Sequence, residues 1–162
     1  MLRMRFLLLV FSSLLTASNA SAQGHETPLP AARHLALHAA AAQQQGMPLI
    51  LLVSLIGCPY CEEVRKLHLA PLEKTGVVVK QIHLDRDEKL IDFEGKPSTQ
   101  KRFAKSLAVR VAPTVFFFDA KGAQVAEPIV GAIHEDFYKE YMDEAIATAK
   151  KKLSLTPEAV KQ

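Results

Sequence analysis

A mostly apolar run, Leu49–Leu55, leads within three residues to the chain's only two cysteines, Cys58 and Cys61. A continuous apolar run of this length is typical of a parallel strand that is covered on both faces, so this strand is expected at the centre of a sheet. Pro59 suits the first position of a helix, where its missing N–H costs nothing. The sequence therefore places a Cys-x-x-Cys pair where a buried strand gives way to a helix, which predicts a redox-active dithiol.

Two other interpretations of the cysteine pair are open. A structural disulfide is disfavoured, because a bridge that closes so short a loop removes little entropy from the unfolded chain. A copper carrier or a non-catalytic binding module could use the two thiolates as soft ligands. His68 lies seven residues after Cys61, about 10 Å along a helix and too far to complete a zinc site. No metal site is predicted.

The first 22 residues have the organisation of an export signal. Met1–Arg5 contains two arginines and no acid, Phe6–Leu15 is almost wholly apolar, and Ala20–Ala22 fits the small-x-small cleavage pattern. The apolar run is shorter than the about 20 residues that span a bilayer, so an uncleaved anchor is the less favoured alternative. We expect a periplasmic protein that begins near Gln23 and has no stable membrane insertion after cleavage.

The expected mature chain has about 140 residues, enough for one domain. Without Arg3 and Arg5 it has 18 basic and 17 acidic residues, a net charge of +1. A nearly neutral chain without a basic cluster gives no reason to expect a nucleic-acid partner. The predicted organisation is a signal peptide at 1–22, an irregular arm at 23–30, one domain at 31–152 and a C-terminal tail at 153–162.

Apolar periodicity and turn residues predict the remaining elements. The polar stretch 85–98 is expected to be an exposed connection with Ile91 and Phe93 as partial anchors, and Pro128 should confine the last strand to the sheet edge. The strands that flank the cysteine helix should be parallel, and the last two antiparallel. Helices are predicted at 31–45, at 99–107 and at about 135–152. A further helix is predicted to begin at Pro59 and to continue until Pro71 stops or kinks it. Further strands are predicted at 77–84, 115–118 and 123–131.

Two side-chain patterns on these helices have competing interpretations. His34 and His38 have the i, i+4 spacing of a metal pair, but no acid lies on that turn, so a solvated helix face is favoured. In the last helix, Phe137, Tyr141, Ala145 and Ala149 repeat at helical spacing and are predicted to face the core.

Two blocks of sequence together resemble the thioredoxin superfamily, most closely its exported bacterial members. The first is Cys58-Pro59-Tyr60-Cys61 after a buried strand, and the second is Leu107–Thr114 leading into Val115–Phe118 and Asp119–Gly122. The likeness covers residues 31–150. It implies a thioredoxin-like three-layer α/β/α fold with a central mixed sheet of four or five strands, in which the dithiol at a helix N-terminus faces a cis-proline loop.

The resemblance also implies a thiol:disulfide oxidoreductase that exchanges disulfides with protein thiols. Such an enzyme needs no cofactor beyond the Cys58/Cys61 disulfide. It uses a membrane or periplasmic electron donor or acceptor. The reducing direction is favoured, because no helical domain of the oxidase type is inserted between the strands. The implied site residues are the attacking Cys58 and the resolving Cys61 as catalytic groups, with Pro59, Tyr60, Ala112 and the cis-proline Pro113 as substrate contacts.

The chain departs from the thioredoxin pattern beside the cysteines. Gly57 replaces the usual tryptophan, and Leu52 stands where a buried acid is expected. A helix N-terminus lowers the pKa of a thiol, whereas the acids Glu62 and Glu63 would raise it, so the redox direction stays open. The Pro59-Tyr60 dipeptide is typical of glutaredoxins, but the later block has no Gly-Gly pair or basic glutathione clamp.

Overall fold

The structure, a computed structural model, describes residues 27–132 and 135–155. The predicted signal peptide lies outside these ranges. None of the described helices is long and apolar enough to cross a membrane. The helices are α1 (Leu35–Gln44), α2 (Pro59–Val64), α3 (Ala70–Lys74), α4 (Gln100–Ser106) and α5 (Glu135–Ser154), with a π-helix (Arg65–Leu69) between α2 and α3. The strands are β1 (Leu49–Ser54), β2 (Val79–His83), β3 (Lys89–Ile91), β4 (Pro97–Thr99), β5 (Thr114–Phe118) and β6 (Ile129–Val130).

A mixed four-stranded sheet in the order β2-β1-β5-β6 forms the centre of the fold. Strand β1 runs parallel to β2 and antiparallel to β5, and every residue of β1 is buried. Strand β6 pairs antiparallel with β5 at the sheet edge. The predicted central strand, mixed sheet and edge strand are therefore confirmed, although the last strand contains only two residues and begins just after Pro128.

Helices cover both faces of the sheet, which gives the three-layer α/β/α architecture. On one face, α1 and α4 pack against side chains that alternate along β1 and β5. On the other face, α5 and the helical segment that follows the cysteines pack against the intervening side chains. The first core includes Leu35, Ala39, Leu51, Val53, Phe103, Phe116 and Phe118, and the second includes Ile50, Leu52, Val64, Leu69, Phe117, Tyr138 and Met142.

The stretch 85–98 contains a β-hairpin that the sequence analysis did not predict. Strands β3 and β4 pair antiparallel, and Leu90 is fully buried between them and the helices on that face. Ile91 and Phe93 are half-buried, as predicted. The ring of Phe93 lies 5.0 Å from that of Phe118, centroid to centroid. The hairpin escaped prediction because its strands are three residues long and lie in a mostly polar stretch.

The core-facing stripe of α5 differs from the predicted one. Phe137 and Tyr141 are 54% and 46% exposed, so their assignment to the core was wrong. The buried residues of this helix are Tyr138, Met142, Ala149 and Leu153. The helix presents two aromatic-containing stripes one residue apart, and sequence periodicity alone does not say which of them faces the sheet.

Residues 27–32 form an extended arm, so α1 begins four residues later than predicted, at Leu35. The arm runs along the outer edge of β2, where the Ala32 amide donates to the Gln81 carbonyl at 2.8 Å and the Gln81 amide donates to the Pro30 carbonyl at 3.0 Å. His34 caps α1 through Nδ1, which accepts from the Leu37 amide. His38 accepts from the Arg33 amide, which lies just before the helix.

Candidate active site

Cys58 follows strand β1 and lies at the N-terminus of α2. Cys58 is the N-cap residue, with an extended backbone, and its Sγ accepts a hydrogen bond from the Cys61 amide at 3.1 Å. A disulfide joins Cys58 to Cys61, and their Cα atoms are 5.2 Å apart. Just before the pair, Gly57 has a φ of +68°, a conformation that costs a residue with a Cβ about 1–2 kcal/mol. The turn therefore explains a glycine at this position.

The two sulfurs differ in accessibility. Cys58 is half-buried, whereas Cys61 is completely buried on the inner face of α2. Cys58 is therefore the sulfur that a molecule approaching from solvent meets first. The Cys61 amide, in the first turn of the helix, donates to Cys58 Sγ, an arrangement that favours a thiolate there.

The Ala112–Pro113 peptide bond is cis, as the resemblance implies. Pro113 precedes the first residue of β5, Thr114, which pairs with Val53 near the end of β1. Because β1 and β5 are antiparallel neighbours, the loops that contain Cys58 and Pro113 leave the sheet at the same end. The loop is anchored at both sides: Pro113 accepts from the Gly131 amide at 2.7 Å, and the Thr114 hydroxyl donates to a carbonyl of the same loop.

Exposed apolar side chains belong to the segments around this end of the sheet. Tyr60, one of the predicted contact residues, is 63% exposed, and Pro59 beside it is exposed as well. Ala112 is half-buried, and Pro113 is buried within its loop. Three further exposed apolar side chains at this end were not predicted from the sequence. Each is next to a site segment in sequence or in strand register. They are Ile56, Val111 and Val130, which are 46%, 48% and 51% exposed.

A buried arginine lies directly behind the dithiol helix. The Arg65 side chain is completely inaccessible to solvent. Its Nε donates to Gln81 Oε1 at 3.1 Å, its Nη2 donates to Ser54 Oγ at 2.9 Å, and its Nη1 forms an ion pair with Glu62. The Glu62 carboxylate in turn accepts from both the amide and the hydroxyl of Thr27. The network thus joins the dithiol helix to β1, β2 and the N-terminal arm.

This network was not predicted, although the sequence contains a signal for it. Arg65 lies four residues after Cys61, so both residues belong to the same face of the helical segment. Once Cys61 is assigned to the buried face, a charged residue at that spacing requires a buried partner. Leu52, at the position of the expected acid, is fully buried in the apolar core.

Glu62 is committed to the network. Burial alone would raise the pKa of its carboxyl, but the hydrogen bonds from Thr27 and Arg65 and the charge of Arg65 together hold that pKa below its ordinary value. Glu62 is therefore an anion whose charge is largely compensated by Arg65 and Thr27. Among residues 27–132 and 135–155, no group of three or more His, Cys, Asp or Glu side chains is arranged to hold a metal ion.

A family model described as a thioredoxin-like domain matches residues 35–146. Thioredoxin h of poplar is 18% identical, with a TM-score of 0.49, over 70% of this chain and 95% of its own. The periplasmic thioredoxin SoxS of Paracoccus pantotrophus is 19% identical, with a TM-score of 0.42, over 62% of this chain and 96% of its own.

The C-terminal domain of DsbD from Neisseria meningitidis is 19% identical, with a TM-score of 0.46, over 68% of this chain and 90% of its own. No curated protein matches the chain. The family match spans more than half of the sequence, from α1 into α5, and includes both the disulfide and the cis-proline loop. The chain belongs to the thioredoxin-like domain family.

Proposed function

We propose that this protein is a periplasmic thiol:disulfide oxidoreductase that reduces disulfides in protein substrates through Cys58-Pro59-Tyr60-Cys61. The observation that best supports this function is the unequal burial of two bonded cysteines at a helix N-terminus, with Cys58 reachable and Cys61 enclosed. The export signal predicted from the sequence supports the periplasmic location. The apolar side chains around the cis-proline loop suit an extended protein segment as substrate.

The reaction takes two exchange steps that together transfer two electrons. In the first, the Cys58 thiolate attacks a substrate disulfide, so a bond forms between Cys58 Sγ and one substrate sulfur while the other leaves as a thiolate. In the second, the Cys61 thiolate attacks Cys58 Sγ and releases the remaining substrate sulfur. The protein dithiol has become a disulfide, and the substrate disulfide has become a dithiol.

Another turnover requires an external dithiol that reduces the Cys58/Cys61 disulfide. The proposed donor is a membrane or periplasmic dithiol protein whose thiolate attacks Cys58, the accessible sulfur. Transfer in the opposite direction, from substrate thiols to the disulfide, uses the same bonds in reverse. The reduction potential of the pair therefore decides which direction the protein favours.

Insulin reduction in the presence of dithiothreitol tests the exchange reaction. We expect wild-type protein to accelerate it and Cys58→Ser to abolish the acceleration. Reduced Cys61→Ala, freed of dithiothreitol and mixed with insulin, should form a stable mixed disulfide through Cys58. Equilibration with dithiothreitol gives the potential, which should lie nearer the roughly −270 mV of reducing family members than the roughly −120 mV of oxidising ones.

Two results would contradict the proposal. A potential below roughly −300 mV without exchange on any substrate would mark a structural disulfide. Tight stoichiometric binding of Cu(I), measured by mass spectrometry, without insulin reduction would mark the carrier that the sequence left as the alternative.

A further inference from the structure

The ion pair behind the dithiol helix is unequally exposed. The side chain of Arg65 has no solvent-accessible surface, whereas that of Glu62 is 31% accessible. The carboxylate also points to Thr27 in the arm, from which it accepts hydrogen bonds. Water screens the outer charge more than the inner one, so the positive charge dominates the field inside the protein.

Cys61 shares this interior with Arg65. The Arg65 amide donates to the Cys61 carbonyl, so the two residues are one helical turn apart, and both are completely buried. Arg65 also donates to the hydroxyl of Ser54 and to the side-chain carbonyl of Gln81. These bonds to two strands fix the guanidinium between the helix and the sheet.

The second exchange step of the proposed function requires Cys61 as a thiolate. Complete burial opposes the ionisation of a thiol, because the charged form loses its hydration. Leu52, which stands where a buried acid is expected, cannot accept a proton or offset a charge. Of the charged side chains in residues 27–132 and 136–155, Arg65 alone is fully buried.

We propose that Arg65 is the positioning residue of the resolving step, whose buried guanidinium stabilises the Cys61 thiolate in place of the buried acid that is expected at position 52. This inference rests on the proposed function, since it concerns the second half of that reaction. The network partners Ser54, Gln81 and Glu62 hold the charge in place, and Glu62 moderates it.

Other titratable groups lie on the elements around Cys61. Glu62 and Glu63 follow it on α2, and His68 on the π-helix stacks on Tyr138 of α5, with ring centroids 4.6 Å apart. Burial raises the pKa of Tyr138, so its hydroxyl stays neutral throughout a thiol titration. On β2, His83 is in register with Ser54.

The pKa of the Cys61 thiol in the reduced protein tests the inference directly, by ¹³C NMR of protein labelled at the cysteine Cβ atoms. Arg65→Met should raise that pKa by about 1 or more, the size expected when a close opposite charge is removed. The matched control is Lys66→Met, which removes the neighbouring exposed cation and should leave the Cys61 pKa nearly unchanged. His83→Gln in both backgrounds excludes a contribution from His83.

Two conservative variants keep the inference testable if Arg65→Met does not fold. Arg65→Lys retains the charge and should restore most of the thiolate stabilisation, although it loses the forked hydrogen bonds. Glu62→Gln removes the moderating carboxylate and should lower the Cys61 pKa, opposite to Arg65→Met. A purely structural arginine would change stability in these variants without moving the Cys61 pKa, and that result would overturn the proposal.

Single-turnover reaction with the aromatic disulfide DTNB separates the two steps. Attack by Cys58 releases one coloured thiolate, and attack by Cys61 on the mixed disulfide releases a second. In Arg65→Met, the second release at pH 7 should slow by about tenfold, more than the first, and recover at higher pH. Equal slowing of both releases would contradict a role in resolution.

The outcomes distinguish this inference from the function on which it rests. If insulin is not reduced but the Cys61 pKa depends on Arg65, the proposed substrate class fails and the electrostatic role stands. If insulin is reduced but Arg65→Met, Arg65→Lys and Glu62→Gln leave the Cys61 pKa unchanged, the function stands and the role of Arg65 fails.

Discussion

Arg65 donates from Nη2 to the Ser54 hydroxyl over 2.9 Å, and both side chains are fully buried. Ser54 is the last residue of β1, four residues before Cys58, and Arg65 follows the end of α2. The bond therefore ties together the strand that enters the dithiol turn and the helix that leaves it. Movement of either element would break a buried hydrogen bond to a charged group, which is worth about 1.5–3 kcal/mol.

Arg65→Ala should lower the free energy of unfolding of the oxidised protein by about 3 kcal/mol, because it empties a buried site and strips Ser54 and Gln81 of their partner. Ser54→Ala should cost about 1.5–3 kcal/mol, because it breaks a buried hydrogen bond to a charged group. Lys66→Ala, at an exposed position, should change it by less than about 0.5 kcal/mol. Urea unfolding measures the free energy of unfolding of all three variants. If Arg65→Ala loses no more stability than Lys66→Ala, Arg65 does not tie the strand to the helix.

Acid should destabilise the protein through Glu62. The pKa of this carboxyl is lower in the folded protein than its ordinary value of 4.5, so the unfolded chain takes up the proton more readily. The corresponding stability is fully present above pH 4.5 and is lost as the pH falls through the folded pKa. Glu62→Gln should flatten this part of the stability–pH curve, whereas Glu63→Gln should leave it in place. Identical acid profiles for wild type and Glu62→Gln would contradict the prediction.

A second pH effect should begin nearer neutrality, at His38. Burial, followed by the charges of Lys80 and His34, lowers the pKa of His38 below its ordinary value of 6.5. Its Nε2 accepts from the Arg33 amide, which only the neutral ring can do. Stability should therefore fall as the pH drops below 6.5, because the unfolded chain binds this proton more tightly.

His38→Gln should remove that dependence. Thermal melts of the wild type and of His38→Gln between pH 7 and pH 5 would show it. A wild-type melting temperature that does not change across this range would count against the assignment.

Val130 should matter for protein substrates. It is half-exposed, pairs with Thr114 beside the cis-proline and precedes the glycine that donates to Pro113. If the proposed function is right, Val130→Asp should reduce kcat/KM for insulin about tenfold while the reaction with DTNB changes little, since a small disulfide needs no extended contact. Leu37→Asp, an exposed apolar position on α1, is the control. Equal losses on both substrates would argue for a general effect on the fold.

The centre of this fold could be predicted because its signals are local. Seven consecutive residues, Leu49–Leu55, are enough to recognise a strand buried on both faces, and β1 is indeed central. The cysteines and Pro59 likewise locate the helix start without any knowledge of the rest. Pro128 indicated an edge strand because it has no N–H to donate to a ladder.

The features that escaped prediction depend on contacts between distant segments. Arg65 is buried because Ser54 and Gln81, on two neighbouring strands, accept hydrogen bonds from it. They are 11 and 16 residues away in sequence. Phe137 and Tyr141 were misplaced because the orientation of α5 is set by packing on β5, which its own periodicity does not encode. The β3-β4 hairpin forms from two strands of three residues each, and its fully buried residue, Leu90, is covered by other elements.

The extended arm also affects how the protein meets other copies of itself. By hydrogen bonding along β2 it occupies the outer edge of that strand, where backbone groups would otherwise be open to pairing. At the opposite edge, β6 has two residues and follows a proline, so it offers little template for a further strand. Both borders of the sheet thus resist edge-to-edge aggregation. An extended substrate of the proposed reaction would therefore meet the domain at the end of the sheet that holds the cysteines.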